Sequence, residues 1–248
     1  DEPVKDGYEF VGWFADVELT NEWNFDTTLT ENKTLYAKWV RGTVSDNEGD
    51  VDLVAADGLN DIAKSEKADI SLVVRVQETA DSSESQTAIK NIENAPKNFE
   101  FYDITLKKSA GETITEASSV IEIKLPYDFA RKRNIKIYRY HNGNAVELTQ
   151  LENRNTVKPF TDGTCFVDTQ NGYIYIYSSK FSIYSVAYDK MSSSSSVSGS
   201  SSTNYYTVTF ETNGAGFVKG QTVVKNGTAN EPNEPAKDGY TFGGWYLS

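Results

Sequence analysis

A single histidine and a single cysteine limit the nucleophilic chemistry available to this chain. A Cys–His pair needs the thiol within hydrogen-bond reach of the imidazole, and usually a third group that orients the base. His141 lies beside Asn142-Gly143 in a predicted turn, whereas Cys165 lies within a strand pattern. We therefore predict a solvated turn histidine and a buried cysteine rather than a catalytic dyad.

The acidic run Asp46–Asp52 has the composition of a calcium-binding loop. A loop of the helix–loop–helix type needs glycine at its sixth position and glutamate at its twelfth. Counted from Asp46, those positions hold Val51 and Asp57. We therefore interpret the run as an acidic segment between domains, and we predict neither a metal site nor a cofactor.

Two pairs of carboxylates have the residue types of a glycosidase site: Glu112 with Glu116, and Glu122 with Asp128. Such a pair acts only if folding brings the two groups to about 5–10 Å from each other. A chain with 36 acidic residues offers many pairs of this kind. The sequence also lacks a Gly-rich phosphate loop and a metal-spaced His/Cys set, so we predict that this segment is not an enzyme.

Tyrosines that alternate with isoleucine offer a site of a different kind. They are Tyr138, Tyr140, Tyr173, Tyr175 and Tyr177. If the isoleucine faces form the core, these rings point outward, and exposed rings with polar neighbours could contact a glycan. Alternating tyrosine is equally typical of ordinary cross-strand packing, so both interpretations stay open at this point.

The segment 42–190 carries all these candidates and has the pattern of many short strands. The strand patterns are Ile70–Val76, Phe99–Leu106, Val120–Leu125, Asn134–Tyr140, Ala145–Leu148, Cys165–Asp168, Tyr173–Tyr177 and Phe181–Tyr188. Asn-Gly dipeptides at 142–143 and 171–172 predict tight hairpin turns, and residues 83–91 predict one short helix. Short strands joined by such turns predict an antiparallel β-sandwich.

An eleven-residue pattern occurs at both ends of the chain. Residues 3–13 and 235–245 share eight identical positions at a constant offset of 232. With the strand that ends in Trp39, the positions we interpret as turn glycines and core aromatics are Gly7, Tyr8, Gly12, Trp13, Tyr36, Trp39, Gly239, Tyr240, Gly244 and Trp245. By strand alternation, Tyr8 and Phe10 share one face and Trp13 falls on the other. Large aromatics of this kind supply most of the buried area of a small module.

The pattern P-x-K-x-G-Y-x-F-x-G-W, followed by T-L-Y-A-K-W at 34–39, resembles the Listeria–Bacteroides repeat. This family includes the B repeats of internalin-type surface proteins. The resemblance implies a β-grasp-like module in extracellular multidomain proteins, where it serves as a spacer or interaction element without catalytic residues. Segment 42–190 resembles the β-sandwich domains that accompany such repeats in Gram-positive surface proteins.

The predicted organisation has four parts. Residues 1–41 match the C-terminal part of a repeat, 42–190 form the central sandwich, 191–204 form a Ser-rich linker, and 205–248 match the N-terminal part of a second repeat. A polar serine tract cannot bury apolar surface and is expected to be flexible. The two partial repeats together contain every segment of one repeat, so they could complement each other or stay separate. We interpret the chain as a piece of a longer protein.

The formal charge of −12 argues against nucleic acid and anionic lipid as partners, because binding to these polyanions depends on Lys and Arg. No apolar run approaches the ~18–20 residues that span a bilayer. We therefore expect a mainly β, non-catalytic segment of a cell-surface or secreted bacterial protein that acts as a spacer, stalk or adhesion module. Its expected partners are neighbouring repeats and host or microbial surface proteins or glycans. The alternative is a glycan-binding module attached to an extracellular carbohydrate-active enzyme.

Overall fold

The structure is a computed structural model of the chain. It describes residues 2–45, 51, 54–78 and 83–191, together with 205–213, 215, 218, 220–224, 227–229, 231–232, 234–235, 237 and 239–247. The serine tract and most of the acidic run Asp46–Asp52 lie outside the described residues. The interpretations of those two segments as linkers therefore stay predictions.

Strands dominate the described chain, as the sequence predicts. The strands in chain order are β1 Glu9–Phe14, β2 Tyr36–Val40, β3 Gly42–Val44, β4 Ala55–Asp57, β5 Ile70–Gln77, β6 Asn98–Lys108, β7 Thr113–Ile114, β8 Glu116–Pro126, β9 Lys132–His141, β10 Asn144–Glu147, β11 Thr149–Gln150, β12 Thr164–Asp168, β13 Tyr173–Lys180, β14 Ile183–Lys190, β15 Tyr205–Val208 and β16 Gln221–Val224. The helices are α1 Leu59–Glu66 and α2 Glu84–Lys90.

The central domain consists of two sheets packed face to face. One sheet has the order β10-β9-β14-β6-β5-β3, with β7 paired to β6, and the other has the order β11-β12-β13-β8-β4. Their facing side chains form one apolar core that includes Leu106 from the first sheet and Ile123 and Ile176 from the second. The alternating patterns of β8 and β13 place these residues inside because successive side chains on a strand point to opposite faces. The predicted sandwich is confirmed.

Two short pairs depart from the antiparallel arrangement. Strand β3 pairs in parallel with β5, and β11 pairs in parallel with β12. Both are edge strands of two or three residues, and their chain direction follows from the crossover segments that deliver them. The antiparallel sandwich thus carries one short parallel pair at an edge of each sheet.

The predicted helix at 83–91 is confirmed as α2, with Ser83 as its N-cap. The helix α1 was not anticipated from the sequence. Gly58 precedes it in a left-handed conformation, and its buried side Leu59, Ile62 and Ala63 joins the sandwich core. Eight residues give barely two turns of periodicity, which is too short a signal to separate from a loop.

The β9–β10 hairpin confirms the Asn-Gly turn prediction. Asn142 and Gly143 have φ values of 48° and 79°. A two-residue turn of the type that matches strand twist requires positive φ at both positions. Glycine takes this conformation without steric cost, and asparagine tolerates it better than most residues. The turn places His141 at the end of β9, directly beside the loop.

The N-terminal partial repeat is joined to the sandwich without a flexible segment. Strand β2 ends at Val40 and β3 begins at Gly42, so Arg41 alone separates them. Val40 is 2% exposed and packs in the sandwich core, with Val11 of β1 packed against the same core. The Gly42 N–H donates to Asn60 Oδ1 at 2.7 Å. The predicted domain boundary at 41/42 therefore falls at a packed junction.

Gly42 is required at this junction because no side chain fits there. A Cβ atom on Gly42 would lie 2.3 Å from Leu59 Cβ and 2.5 Å from the Leu59 carbonyl carbon. We predict that Gly42→Ala destabilises the central domain by about 3 kcal/mol, the upper part of the range for overpacking. Urea unfolding followed by tryptophan fluorescence measures the change. Gly243→Ala, where nothing lies within 4 Å of the added Cβ, is the matched control and should change stability by less than about 0.5 kcal/mol. Equal effects of the two substitutions would contradict the steric explanation.

Candidate functional site

The outer face of the five-stranded sheet carries the tyrosines of β13. Tyr177 is fully buried, and its hydroxyl donates to the Asn155 carbonyl oxygen at 2.9 Å and accepts from the Asn155 N–H at 3.0 Å. Phe160 packs against the same ring, with centroids 5.2 Å apart. Both partners belong to the segment between β11 and β12, which crosses this face of the sheet. This segment is the reason that Tyr177 is not exposed.

Tyr175 lies one step further along the outer face, beneath a cation. The Arg154 guanidinium carbon lies 4.3 Å from the Tyr175 ring centroid, and the Phe166 ring stacks on Tyr175 at 6.1 Å. Tyr173 is half-buried, with Lys124 Nζ 3.9 Å above its ring. Burial, followed by the charge of Arg154, lowers the pKa of Lys124. This end of the face therefore combines aromatic rings with two cations, and sequence alternation does not single out Phe166.

Arg154 also neutralises a buried carboxylate. Its Nε donates to Glu122 Oε2 at 3.0 Å and its Nη2 donates to Glu122 Oε1 at 2.5 Å. The side chain of Glu122 is 5% exposed, whereas that of Arg154 is 42% exposed. A buried carboxylate needs a paired cation, and the two-point geometry of guanidinium fits it best.

The tyrosines of β9 lie beneath helix α2. Tyr138 is fully buried in a small cluster with Ile89 and Phe101. The half-buried Tyr140 donates from its hydroxyl to Glu84 Oε1 on α2 at 2.9 Å. That hydrogen bond is the main cause that raises the pKa of Tyr140.

The expectation that the five candidate tyrosines lie in solvent is wrong for Tyr138, Tyr175 and Tyr177. They do occupy the faces opposite the isoleucines, as alternation predicts. A second layer, α2 on one sheet and the segment 151–163 on the other, covers those faces. Tyr140 and Tyr173 keep partial exposure, but they belong to different sheets and do not form a row of rings.

Cys165 and His141 are held in different environments. Cys165 is fully buried in the sandwich core, and burial raises the pKa of its thiol to about 12. His141 is 8% exposed, which contradicts the prediction of a solvated turn histidine. The residues that line the same small cavity as the imidazole come from β8, β9, β10, β13 and the β9–β10 turn. Burial, followed by the positive charge of Arg139, lowers the pKa of His141.

Arg139 follows Ile135 and Ile137 on the inner face of β9 and is a charged residue beside the apolar core. It is 6% exposed, and its guanidinium donates to Asp162 Oδ1 at 2.8 Å, to Asp162 Oδ2 at 3.1 Å and to Ser178 Oγ at 2.8 Å. Burial opposes the charge on Asp162, but the Arg139 hydrogen bonds prevail and lower the pKa of Asp162 to about 2. The ion pair explains how a charged residue occupies a core position.

Three of the four carboxylates in the two glycosidase-like pairs are held by separate interactions. Glu112 pairs with Lys108 at 3.2 Å, and Glu122 is bound by Arg154. Asp128 accepts from the Ala130 N–H at 2.8 Å. Glu116 lies at the start of β8 and lines a small cavity near His141. Within the part of the chain that the structure describes, no group of three or more His, Cys, Asp or Glu side chains could hold a metal ion.

The two copies of the eleven-residue pattern have the same local geometry. The Tyr8 N–H donates to the Lys5 carbonyl at 3.1 Å, and the Tyr240 N–H donates to the Lys237 carbonyl at 3.1 Å. Gly7 and Gly239 have φ values of 74° and 77°, which only glycine adopts without strain. The shared turn shows that the sequence pattern encodes one backbone conformation.

Trp13 departs from the predicted alternation. The register of β1 and β2 shifts between Phe10 and Gly12, and such a bulge resets which face the following residues occupy. As a result the Trp13 ring lies 5.6 Å from the Phe10 ring rather than on the opposite face. The Trp39 ring lies 5.4 Å from Phe10, so the three rings form one cluster.

The equivalent cluster in the second copy is built with a different partner. Trp245 lies 5.2 Å from Phe242, as Trp13 does from Phe10, and 5.0 Å from Phe210. Tyr240 is exposed, and Gly244 has a φ of 117°. Among the described strands, β1 pairs with β2 and β15 pairs with β16, and neither pair joins the other. The described strands thus contain no pairing that would complement one partial repeat with the other.

Comparison with known proteins identifies the two ends of the chain. The family model of the Listeria-Bacteroides repeat domain matches residues 1–38 and 206–248, which confirms the resemblance seen in the sequence. No solved structure matches this chain.

Two proteins of Evansella cellulosilytica share a short similar stretch. One, named "Putative membrane protein", is 55% identical over 38 residues, which is 15% of this chain and 6% of that protein. Another, named "Putative Gly-rich membrane protein", is 50% identical over 38 residues, which is 15% of this chain and 4% of that protein. The matched stretch thus spans only a small fraction of either relative. Within the described residues, no helix has the length and apolar character needed to cross a bilayer.

The buried imidazole predicts a specific pH dependence of stability. Because the pKa of His141 is lower in the folded chain than the unfolded value of about 6.5, the unfolded state binds more protons between these two values. Stability is therefore full above about pH 6.5 and falls as the pH decreases through the folded pKa. His141→Gln should abolish this part of the decrease. Urea titrations at several pH values measure it, and an unchanged pH profile in the variant would refute the assignment.

The Arg154–Glu122 pair predicts a strong coupling. Arg154→Met leaves the Glu122 carboxylate buried without a cation, and we expect a loss of about 3 kcal/mol, the lower end of the range for broken buried pairs because Arg154 is partly solvated. Arg154→Met with Glu122→Met should recover most of this loss, because it removes the unpaired charge. Urea unfolding of both single variants and the double variant gives the coupling energy. Additive effects would show that the pair does not act as a unit.

Proposed function

We propose that this chain is a non-catalytic segment of a bacterial cell-surface or secreted multidomain protein, in which it acts as a spacer of fixed geometry. The repeat family at both ends and the membrane-protein names of the relatives support this location. The acidic surface supports it further, because a net charge of −12 keeps an exposed segment soluble and away from other polyanions.

The packed junction between the first partial repeat and the sandwich carries the proposal. A spacer transmits position only if its modules cannot rotate freely against each other. Here Val40 is buried in the sandwich core. After Arg41 the chain enters β3, which pairs in parallel with β5 of the sandwich. Module interfaces without such contacts allow relative motion by default.

Contacts between the first partial repeat, which contains β1 and β2, and helix α1 add to this restraint. Glu22 accepts a hydrogen bond from Lys67 at 2.5 Å, and Lys64 Nζ lies 3.8 Å from Glu9 Oε2. Exposed ion pairs of this type each contribute little to stability. Together they connect two points of the first partial repeat, Glu9 on β1 and Glu22 after it, to one helix, and this opposes rotation about Arg41.

Several reactive and charged groups of the sandwich have stabilising roles, which supports a non-catalytic segment. The Cys165 thiol is inaccessible, Glu122 is paired with Arg154, and Asp162 is paired with Arg139. The alternative of a glycan-binding module required an exposed row of tyrosine rings. The covered faces of β9 and β13 do not supply that row, so the spacer is the function that the geometry favours.

A distance measurement across the junction tests the spacer function. The buried Cys165 does not interfere with labelling. Lys38→Cys can therefore carry a spin label on β2 of the first partial repeat, and Glu152→Cys can carry one on the sandwich. We expect a single narrow distance distribution by pulsed electron resonance, as wide as that of the intra-sandwich pair Glu112→Cys and Glu152→Cys. A short Gly-Ser insertion between Arg41 and Gly42 should broaden it, because it removes the direct connection. A broad distribution in the chain without the insertion would refute a spacer of fixed geometry.

A further inference from the structure

A cavity of about 250 Å³ lies beside the β9–β10 hairpin, at the end of the two sheets. Its polar lining consists of Glu116, Arg139, His141, Asn142, Asn144 and Lys180. These residues come from β8, β9, β10, β13 and the turn between β9 and β10. The volume lies below the roughly 300–1,000 Å³ of pockets that take drug-sized ligands, which limits an occupant to about the size of one sugar ring.

Two buried groups of the lining lack a protein partner. His141 Nε2 and Arg139 Nε are inaccessible, and neither has a hydrogen-bond partner among the described residues. A buried polar atom left unpaired costs about 1–3 kcal/mol. The other nitrogens of the Arg139 guanidinium are engaged by Asp162 and Ser178. Both residues belong to the lining of the cavity, so the wall on this side is formed by polar side chains.

The charges around the cavity cancel. Glu116 and Lys180 are cross-strand partners of β8 and β13, and neither side chain forms an ion pair with another described residue. Asp162 compensates the charge of Arg139. The pKa of His141 is lowered by burial and by Arg139, so its imidazole is neutral at pH 7. A cavity with zero net charge does not select a cation or an anion.

Donors and acceptors are instead mixed around the lining. The ammonium of Lys180 and the guanidinium of Arg139 donate, the carboxylate of Glu116 accepts, and the amides of Asn142 and Asn144 do both. Each hydroxyl of a sugar is also both a donor and an acceptor. Val146 on β10 adds an exposed apolar contact at the rim, which fits the C–H face of a sugar ring.

We propose that this cavity binds a neutral polyhydroxylated ligand of monosaccharide size, such as the terminal residue of a glycan. The site is distinct from the covered tyrosine faces, and it does not depend on the spacer function. Glu116 and Lys180, side by side on β8 and β13, would bond adjacent hydroxyl groups, and His141 would form part of the wall. A spacer with such a cavity could hold a surface glycan while keeping its modules in fixed orientation.

The sole histidine of the chain provides a direct probe. The imidazole signals of His141 in the full 248-residue chain are followed by NMR during titration with methyl glycosides of glucose, galactose, mannose and N-acetylglucosamine at millimolar concentration. We expect a saturable shift with at least one of these glycosides. Phosphate, acetate and glycine are titrated in parallel, since they test an anion or a zwitterion in the same cavity.

Two variants and a control test the assigned contacts. Glu116→Gln and Lys180→Met should each weaken glycoside binding about tenfold or more, because each removes a charged hydrogen-bond partner. If Glu116→Gln or Lys180→Met alters the backbone NMR spectrum, Asn144→Ala replaces that variant, because Asn144 is exposed on the β9–β10 hairpin. Glu152→Gln, which lies outside the cavity lining, should leave binding unchanged.

Three results would overturn the proposal: no saturable His141 shift with any glycoside, a shift with phosphate, acetate or glycine only, or glycoside binding that the cavity variants do not weaken. The first would mean that solvent occupies the cavity, and the second that it selects charge. None of these results alters the spin-label distance across Arg41, so failure of the ligand site and failure of the spacer function are distinguishable.

Discussion

The strict alternation of β8 and β13 determines much of the central domain. Ile121, Ile123 and Ile176 must face the opposing sheet to bury their apolar area, and the residues between them must then face outward. On β13 those outward residues are large tyrosines, and on β8 one of them is Glu122. An outer face of this composition cannot be left bare without exposing large rings. The chain therefore adds a second layer, and Arg154 of the segment 151–163 supplies both the cover and the counter-charge.

The same constraint explains why polar networks appear where they do. Arg139 occupies an inward position of β9, and the sandwich accepts it only because Asp162 and Ser178 satisfy its guanidinium. At the next inward position His141 is enclosed but has one nitrogen without a partner. The apolar core thus ends in a polar region at one edge of the sheets. The small cavity lined by several polar side chains lies at this edge.

The junction at Arg41 links this domain to the proposed role. The first partial repeat supplies Val40 to the sandwich core, so the two modules share apolar area instead of meeting at a flexible segment. The close approach of Gly42 to Leu59 makes this contact sensitive to a single methyl group. A surface spacer benefits from such a contact, because separate modules on a free linker would sample many orientations.

Local rules in the sequence were sufficient for the β-sandwich, the Asn142-Gly143 turn, helix α2 and the repeat motif. Each of these depends on alternation, turn chemistry or spacing within about ten residues. The burial of Tyr177 and His141, the bulge that moves Trp13 beside Phe10, and helix α1 depended on tertiary structure. Alternation specifies which face of a strand a side chain occupies, but it carries no information on what else packs against that face. The cover over Tyr177 comes from residues more than a dozen positions away, and the wall around His141 comes from four separate elements. Such contacts exist only once the sheets have formed. The sequence alone therefore determined the architecture, whereas the tertiary structure decided which side chains are covered and which line the cavity.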